Sequence, residues 1–184
     1  LNKIYKNFGF CYVFEANPEL VIFLKNKFKN VKNVEIIEGA LSEEHNKEVD
    51  FHITYDPVLG DNQMHYSSSL GELSDYYRNN GPKNQVTTLK TITVKTINLY
   101  TFLQERNIKK IHTYISDLEG MDFTVLKTIR YYIDNKLIIN IQIETETDGW
   151  EKMAHLNLSS NKQKDIINFL SKNYNIVKYQ KGNY

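Results

Sequence analysis

The sequence has little of several features that would each indicate a particular class of protein. A single cysteine, Cys11, excludes an intrachain disulfide. No apolar run approaches the roughly 20 residues that a membrane-spanning helix needs. The 23 Lys and Arg residues nearly balance the 22 Asp and Glu residues, which gives a formal net charge of +1. This balance provides no electrostatic reason to expect a nucleic acid or a membrane surface as the main partner.

The chain also lacks a signal peptide pattern, because residues 1–10 carry lysines and no cleavage-like site follows them. We therefore expect a cytoplasmic protein. No His/Cys/Asp spacing is typical of a zinc site. The carboxylates of the chain could hold a divalent cation, but nothing in the sequence requires one, and we expect no metal. A length of 184 residues suits one domain over residues 1–184. The chain opens at Leu1 rather than Met and closes just after a predicted strand over residues 176–179, so we expect both ends to be cut from something longer.

Hydrophobic periodicity alternates between strand and helix along the chain. Strands are predicted over residues 9–15, 34–37, 49–55, 111–116 and 137–144, with one more strand in two pieces over 86–97. Helices are predicted from Pro18 onward, with Asn17 as the cap, and over residues 97–106, 121–135 and 161–173. Residues 56–85 have weak periodicity, which is typical of a functional loop or lid. The alternation predicts an α/β domain with a doubly wound, mostly parallel sheet.

Carboxylates recur where the predicted strands end. They are Glu15, Glu38, Asp117 with Glu119, and Glu144. Because ligands bind outside the carboxyl ends of strands in open α/β sheets, we expect these acids to line one rim of the sheet.

Glu15 is the acid with the simplest interpretation. A carboxylate at a strand end before a helix can accept hydrogen bonds from both hydroxyls of a nucleoside ribose. A surface or helix-capping glutamate is the alternative. Dinucleotide-binding folds and S-adenosylmethionine (SAM) methyltransferase folds both use such an acid, and both need a glycine-rich turn one strand earlier. No such turn precedes Glu15 in this chain.

Several blocks of the chain resemble, in order, the FkbM family of SAM-dependent methyltransferases. The blocks are residues 13–19 (VFEANPE), residues 34–42 ending in Gly39-Ala40-Leu41-Ser42, residues 67–70 (SSSL), residues 117–122 (DLEGMD) with 125–127 (VLK), and residues 141–144 (IQIE). Together they cover most of residues 12–144.

This resemblance implies a class I methyltransferase fold of Rossmann-like type, SAM as cofactor, and O-methylation of a sugar, glycan or natural-product hydroxyl. The cofactor-binding residues that it implies are Glu15 on the ribose, with Ala16 and Asn17 in the same block, Ala40, Leu41 and Ser42 along the adenine, and Asp117 near the sulfonium and methyl group.

The chain departs from the family pattern in two places. The glycine-rich first motif, which approaches the methionine part of SAM, is absent from these residues. The family commonly has a lysine two residues before the aspartate that matches Asp117, and this chain has Ile115 there. We therefore expect a domain that is incomplete at its N-terminus.

Methyl transfer needs alignment of the reactants and often a base for the hydroxyl proton. Four residues are candidates for catalytic roles. Asp117 could orient the donor or acceptor, and Glu119 could be a base or a cap for the following helix. Glu144 could be a base or a solvated strand end. His65 could act as a base near neutral pH or be only a solvated loop residue.

Two other interpretations remain open. A degenerate module could keep the fold and serve as a scaffold, and a nucleotide-sugar or dinucleotide enzyme could also use Glu15. The near-neutral charge disfavours a nucleic-acid methyltransferase. The sequence indicates neither the identity of the acceptor nor the oligomeric state.

Overall fold

The computed structural model describes residues 9–55, 68–73, 87–145, 155–156 and 161–177. The strands are β1 (Cys11–Glu15), β2 (Val34–Glu38), β3 (Ala40–Ser42), β4 (Glu48–Tyr55), β5 (Glu72–Leu73), β6 (Thr87–Asn98), β7 (Ile111–Ser116), β8 (Ile138–Ile143) and β9 (His155–Leu156). The helices are α1 (Pro18–Phe28), α2 (Leu99–Glu105), α3 (Asp122–Thr128), α4 (Arg130–Asp134) and α5 (Gln163–Leu170). The predicted alternation of strands and helices is confirmed in part: helices separate β1 from β2, β6 from β7 and β7 from β8, whereas no described helix lies between β2 and β6.

Three of the strand pairs are parallel. β1 pairs with β2 in a register that places Glu15 opposite Glu38. β3 pairs with β6, and β7 pairs with β8, so that Ser116 lies opposite Ile143. Parallel pairs need a crossover connection, and α1 supplies it between β1 and β2. The carboxyl ends of both strands in each pair therefore lie at the same edge.

The described strands form four small sheets rather than one continuous doubly wound sheet. Among the described residues, β1 and β7 lie in separate sheets, and no strand is hydrogen-bonded to both of them. β6 also pairs with β4 in antiparallel orientation, which makes that sheet mixed. The prediction of β6 in two pieces was wrong, because one strand of 12 residues continues through the whole pairing. The irregularity lies in its partner, where the register shifts between Ile53 and Thr54.

The main core joins the parallel pairs to the helices. Its fully buried members include Val125, Leu126, Ile129 and Ile133 from the segment of α3 and α4, which packs with Ile138 of β8. We predicted one helix over residues 121–135, but the chain makes two. Ile129, at the junction, donates its N–H to the Leu126 carbonyl, a tight turn that ends α3. No helix among the described residues is long and apolar enough to cross a membrane.

Candidate functional site

A cavity of about 300 Å³ lies at the carboxyl ends of β1 and β7. One wall contains Phe14, Glu15, Ala16, Asn17 and Leu20, from the end of β1 and the start of α1. A second wall runs from Gly39 to Leu41, with Phe51 of β4 beside it. Ser68, Ser69 and Leu70 form a third wall, and the turn after β7 closes the cavity with Asp117, Leu118, Glu119 and Met121. Its size matches the lower range of small-molecule sites in proteins.

Glu15 is held in a fixed orientation on the first wall. Its carboxylate oxygen Oε1 accepts a hydrogen bond from the backbone N–H of Asn17 at 2.8 Å. Burial raises the pKa of Glu15, and hydrogen bonds from the N–H groups of Asn17 and Ala16 partly offset that rise. The side chain is half-buried at the cavity wall, where a ligand hydroxyl could reach it.

Asn17 and Pro18 begin α1 as their sequence predicts. The Asn17 side chain accepts from the N–H of Glu19 at 3.0 Å and so caps the helix, while Pro18 occupies the first turn. Asn17 is fully buried, and its amide nitrogen Nδ2 donates to no residue that the structure describes. The role of Asn17 that the contacts show is therefore to fix the first turn of α1 beneath Glu15.

Residues 40–42 form the short buried strand β3. Gly39, directly before it, donates its N–H to the Glu15 carbonyl at 2.9 Å and so ties β3 to the end of β1. Ala40 and Leu41 line the cavity, whereas Ser42 is buried and is not among its lining residues. An apolar surface of this kind suits the flat face of a base.

The turn after β7 brings three acids together. The carboxylate oxygens of Asp117, Glu119 and Glu144 all lie within 4.8 Å of one another. We call these three residues the acid cluster. The backbone N–H of Glu144 donates to the Ser116 carbonyl at 3.1 Å, which fixes the end of β8 beside the end of β7. Of the predicted strand-end acids, Glu38 lies apart: it lines a neighbouring cavity and pairs with Lys25 at 3.4 Å.

The acid cluster strongly changes the ionisation of Glu144. Atoms packed around this carboxyl displace much of its water although the side chain keeps contact with solvent, and this burial is the largest cause that raises its pKa to about 8. A hydrogen bond with Asp117 and the negative charges of Asp117, Glu119 and Asp122 raise the pKa further. At neutral pH, Glu144 therefore keeps its proton.

A buried hydrogen-bond network around Asp122 adjoins the acid cluster. Asp122, at the start of α3, is fully buried, and its Oδ2 accepts from the Leu118 N–H and from the Asn161 side chain, each at 3.0 Å. Asn161 also accepts from the Phe123 N–H at 2.8 Å and approaches the Glu144 carbonyl at 3.4 Å. Burial raises the pKa of Asp122.

Sequence reasoning assigned no role to Asp122 or Asn161. An acid at the start of a predicted helix is normally exposed and interacts with the helix dipole. Asn161 begins a predicted helix, where a capping role is the ordinary interpretation. Only their contact across 39 residues shows that they form one network.

Ser69 connects the third wall to the turn after β7. It is nearly fully buried, and its hydroxyl donates to the Glu119 carbonyl at 3.0 Å. His65, a candidate base in the sequence, lies outside the described residues.

The donor set of the acid cluster could hold a hard divalent cation, since carboxylate oxygens are the ligands that Mg²⁺ and Ca²⁺ prefer. The hydrogen bond between Glu144 and Asp117 already accounts for the close approach of these two residues. The sequence-based expectation of no metal stays a prediction.

Comparison with known proteins now gives this geometry a context. The model of the methyltransferase FkbM domain matches residues 1–176 of the chain. The chain belongs to the FkbM methyltransferase family. Searches of curated proteins and of solved structures gave no match. The family assignment supports a methyltransferase and implies an α/β fold of the class I type. The family resemblance seen in the sequence is confirmed.

Proposed function

We propose that this FkbM-family protein is a SAM-dependent O-methyltransferase acting on a hydroxyl of a sugar, glycan or small natural product. The observation that carries the proposal is the cavity in which Glu15 faces the turn that bears Asp117 and Glu119. We also propose that residues 1–184 belong to one domain of the class I methyltransferase type. The lone cysteine leads us to propose a cytoplasmic location.

Charge supports SAM over the rival ligands. The described residues that line the cavity include Glu15, Asp117 and Glu119 and no Lys, Arg or His. SAM carries a positive sulfonium, whereas nucleotide-sugars and dinucleotides carry diphosphates that need basic side chains or free backbone N–H groups. The first turn of α1 offers little to an anion, because Pro18 has no N–H and the Glu19 N–H is already bound by Asn17. The cavity therefore suits a cation better than an anion.

We assign the described residues to the parts of SAM as follows. Glu15 would accept from the ribose hydroxyls, and Ala16 and Asn17 would shape the wall around it. Ala40 and Leu41 would cover one face of the adenine, with Ser42 behind them. Asp117 would lie towards the positive sulfonium. SAM, when bound, supplies an electrophilic methyl group.

A base must accept the proton of the acceptor hydroxyl, and we propose that Glu144 is this base. Its pKa of about 8 is close to the optimum for a general base near neutral pH. A hydrogen bond with Asp117 and the negative charge of Glu119 both raise the pKa of Glu144 and so strengthen its basicity. His65 remains an alternative base that falls outside the described residues.

The test is calorimetric binding of SAM and of its demethylated product to the wild type, Glu15→Gln and Glu38→Gln. Glu38 is the matched control, because it occupies the same register position on β2 and lies outside the cavity. A hydrogen bond to a charged group contributes roughly 1.5–3 kcal/mol. We therefore expect Glu15→Gln to weaken binding by about 10- to 150-fold, and Glu38→Gln to bind like the wild type.

The rivals predict different results. A degenerate scaffold would bind neither SAM nor its product, and a nucleotide enzyme would bind a diphosphate nucleotide in preference to SAM. Equal SAM affinity of Glu15→Gln and the wild type would remove Glu15 from the cofactor site. If SAM binds, incubation with methyl-deuterated SAM and a panel of sugars, followed by mass spectrometry, would identify the acceptor class.

A further inference from the structure

The turn that carries Glu119 has an unfavourable backbone conformation. Glu119 has a φ of 49° and the following Gly120 has a φ of 101°. A left-handed conformation is accessible to glycine but costs a residue with a side chain roughly 1–2 kcal/mol. Such a turn persists only where surrounding contacts fix it. The Met121 N–H closes the turn on the Leu118 carbonyl at 3.2 Å, a rather long bond.

Ser69 supplies a contact of this kind from a distant part of the chain. Its hydroxyl donates to the backbone carbonyl of Glu119 at 3.0 Å and accepts from the Gly71 N–H at 3.2 Å. Only 2% of Ser69 is exposed, so neither bond competes strongly with water. The bond to Glu119 joins residues 50 positions apart.

Ser69 is itself anchored on β4. Its N–H donates to the His52 carbonyl at 3.1 Å, and its carbonyl accepts from the His52 N–H at 2.8 Å. The neighbouring Ser68 hydroxyl accepts from the Thr54 N–H at 3.1 Å. Ser69 therefore links β4 to the turn after β7 through its hydrogen bonds to His52 and Glu119.

We propose that Ser69 is a positioning residue, which holds the turn of residues 117–121 against β4 so that the Glu119 carboxylate stays in the acid cluster beside Glu144. Its importance for methyl transfer rests on the proposed function. The positional effect itself can be measured in the protein without any ligand.

The readout is the titration of Glu144, because the charge of Glu119 is one of the groups that raise its pKa. Asp117 and Asp122 are the other charged groups that act on it. The experiment follows the side-chain carboxyl carbons of glutamate by NMR from pH 5 to pH 10, and the signal lost in Glu144→Gln identifies Glu144. A unit charge 4.8 Å away, at the dielectric constant of water, shifts a titration midpoint by about 0.6 pH unit.

Four proteins complete a double-mutant cycle: the wild type, Ser69→Ala, Glu119→Gln and the double variant. We expect Glu119→Gln to lower the Glu144 midpoint by about 0.6 pH unit or more. Ser69→Ala should lower it in the same direction, because a released turn moves the Glu119 charge away. In the Glu119→Gln background, Ser69→Ala should add almost nothing.

The control is Thr128→Val, which also deletes a hydroxyl that donates to a backbone carbonyl, that of Val125 at 2.7 Å. It should leave the Glu144 midpoint unchanged.

Two results would overturn the proposal. The first is an unchanged Glu144 midpoint in folded Ser69→Ala. The second is a shift on Ser69→Ala that is equally large in the wild-type and the Glu119→Gln backgrounds. If Ser69→Ala does not fold, Ser69→Cys has nearly the same shape with a weaker donor, and an unshifted midpoint there overturns the proposal. Absence of SAM binding by the wild type would refute the proposed function alone.

Discussion

Glu144→Gln should make the protein more stable at alkaline pH and change little at acid pH. The folded carboxyl holds its proton up to about pH 8, whereas the unfolded carboxyl loses it near the ordinary value of 4.5. Below about pH 4.5 the Glu144 carboxyl is protonated in both the folded and the unfolded protein. Its unfavourable contribution to the folding free energy is therefore smallest there. As the pH rises from 4.5 towards 8, the unfolded state gains the free energy of ionisation and the folded state does not. Glutamine has nearly the shape of the protonated acid and cannot ionise.

The size of the effect follows from the pKa difference. A shift from 4.5 to about 8 would correspond to an upper limit of roughly 5 kcal/mol at about 1.4 kcal/mol per pH unit. The Glu144 side chain keeps contact with solvent, which screens the interaction, so we expect only about 1–2 kcal/mol. The gain should be present in full above about pH 8.

The assay is urea-induced unfolding of the wild type and Glu144→Gln between pH 4.5 and pH 9. The difference in unfolding free energy should be near zero at the acid end and grow towards the alkaline end. The control is Glu43→Gln, which removes an exposed carboxyl outside the acid cluster and should follow the wild type at every pH. A Glu144→Gln effect that is independent of pH, or a loss of stability at pH 9, would refute the reasoning.

Two further predictions concern the frame of the site. Gly39→Ala should lower the unfolding free energy by at least about 2 kcal/mol, because Gly39 has a φ of +148° and an added Cβ would lie 2.7 Å from Ile97 Cδ1 and 2.9 Å from the Lys95 carbonyl oxygen. Urea unfolding measures this, and a loss below about 0.5 kcal/mol would mean that β3 can shift. Asn161→Ala should cost about 1–3 kcal/mol for each buried partner it leaves unpaired, and Asp122→Asn in the same background should recover part of it. No recovery would show that the charge of Asp122 is not the cause.

Local chemistry made much of the fold predictable. Asn17-Pro18-Glu19 predicted the start of α1, and the capping hydrogen bond is present. The apolar run that ends at Ser116 predicted β7, with matching bounds. Both features depend on residues adjacent in sequence. The break between α3 and α4 was not predictable, because it falls at Ile129, an ordinary apolar residue that is fully buried.

Part of the site was predictable for a similar reason. Parallel strands bring their carboxyl ends to one edge, so strand-end acids were expected to meet, and Asp117 and Glu144 do. Glu38 also ends a parallel strand, yet it faces a different cavity and pairs with Lys25. A strand-end position therefore fixes the edge but not the cavity. The contact of Ser69 with Glu119 depends on how β4 packs against the turn, which no local pattern encodes.

The ionisation of the acid cluster connects ligand binding to proton transfer under the proposed function. In the protein without ligand, burial of the carboxyl group, together with the neighbouring carboxyl groups, keeps a proton on Glu144 at neutral pH. A cation in the cavity would favour the ionised form of nearby carboxyl groups and so lower the pKa of Glu144. The proton would then leave before or during binding, and the free carboxylate could accept the proton of an acceptor hydroxyl. With a cationic ligand bound, Glu144 would therefore favour the ionised form that can act as a base, whereas with an anionic nucleotide it would favour the protonated form.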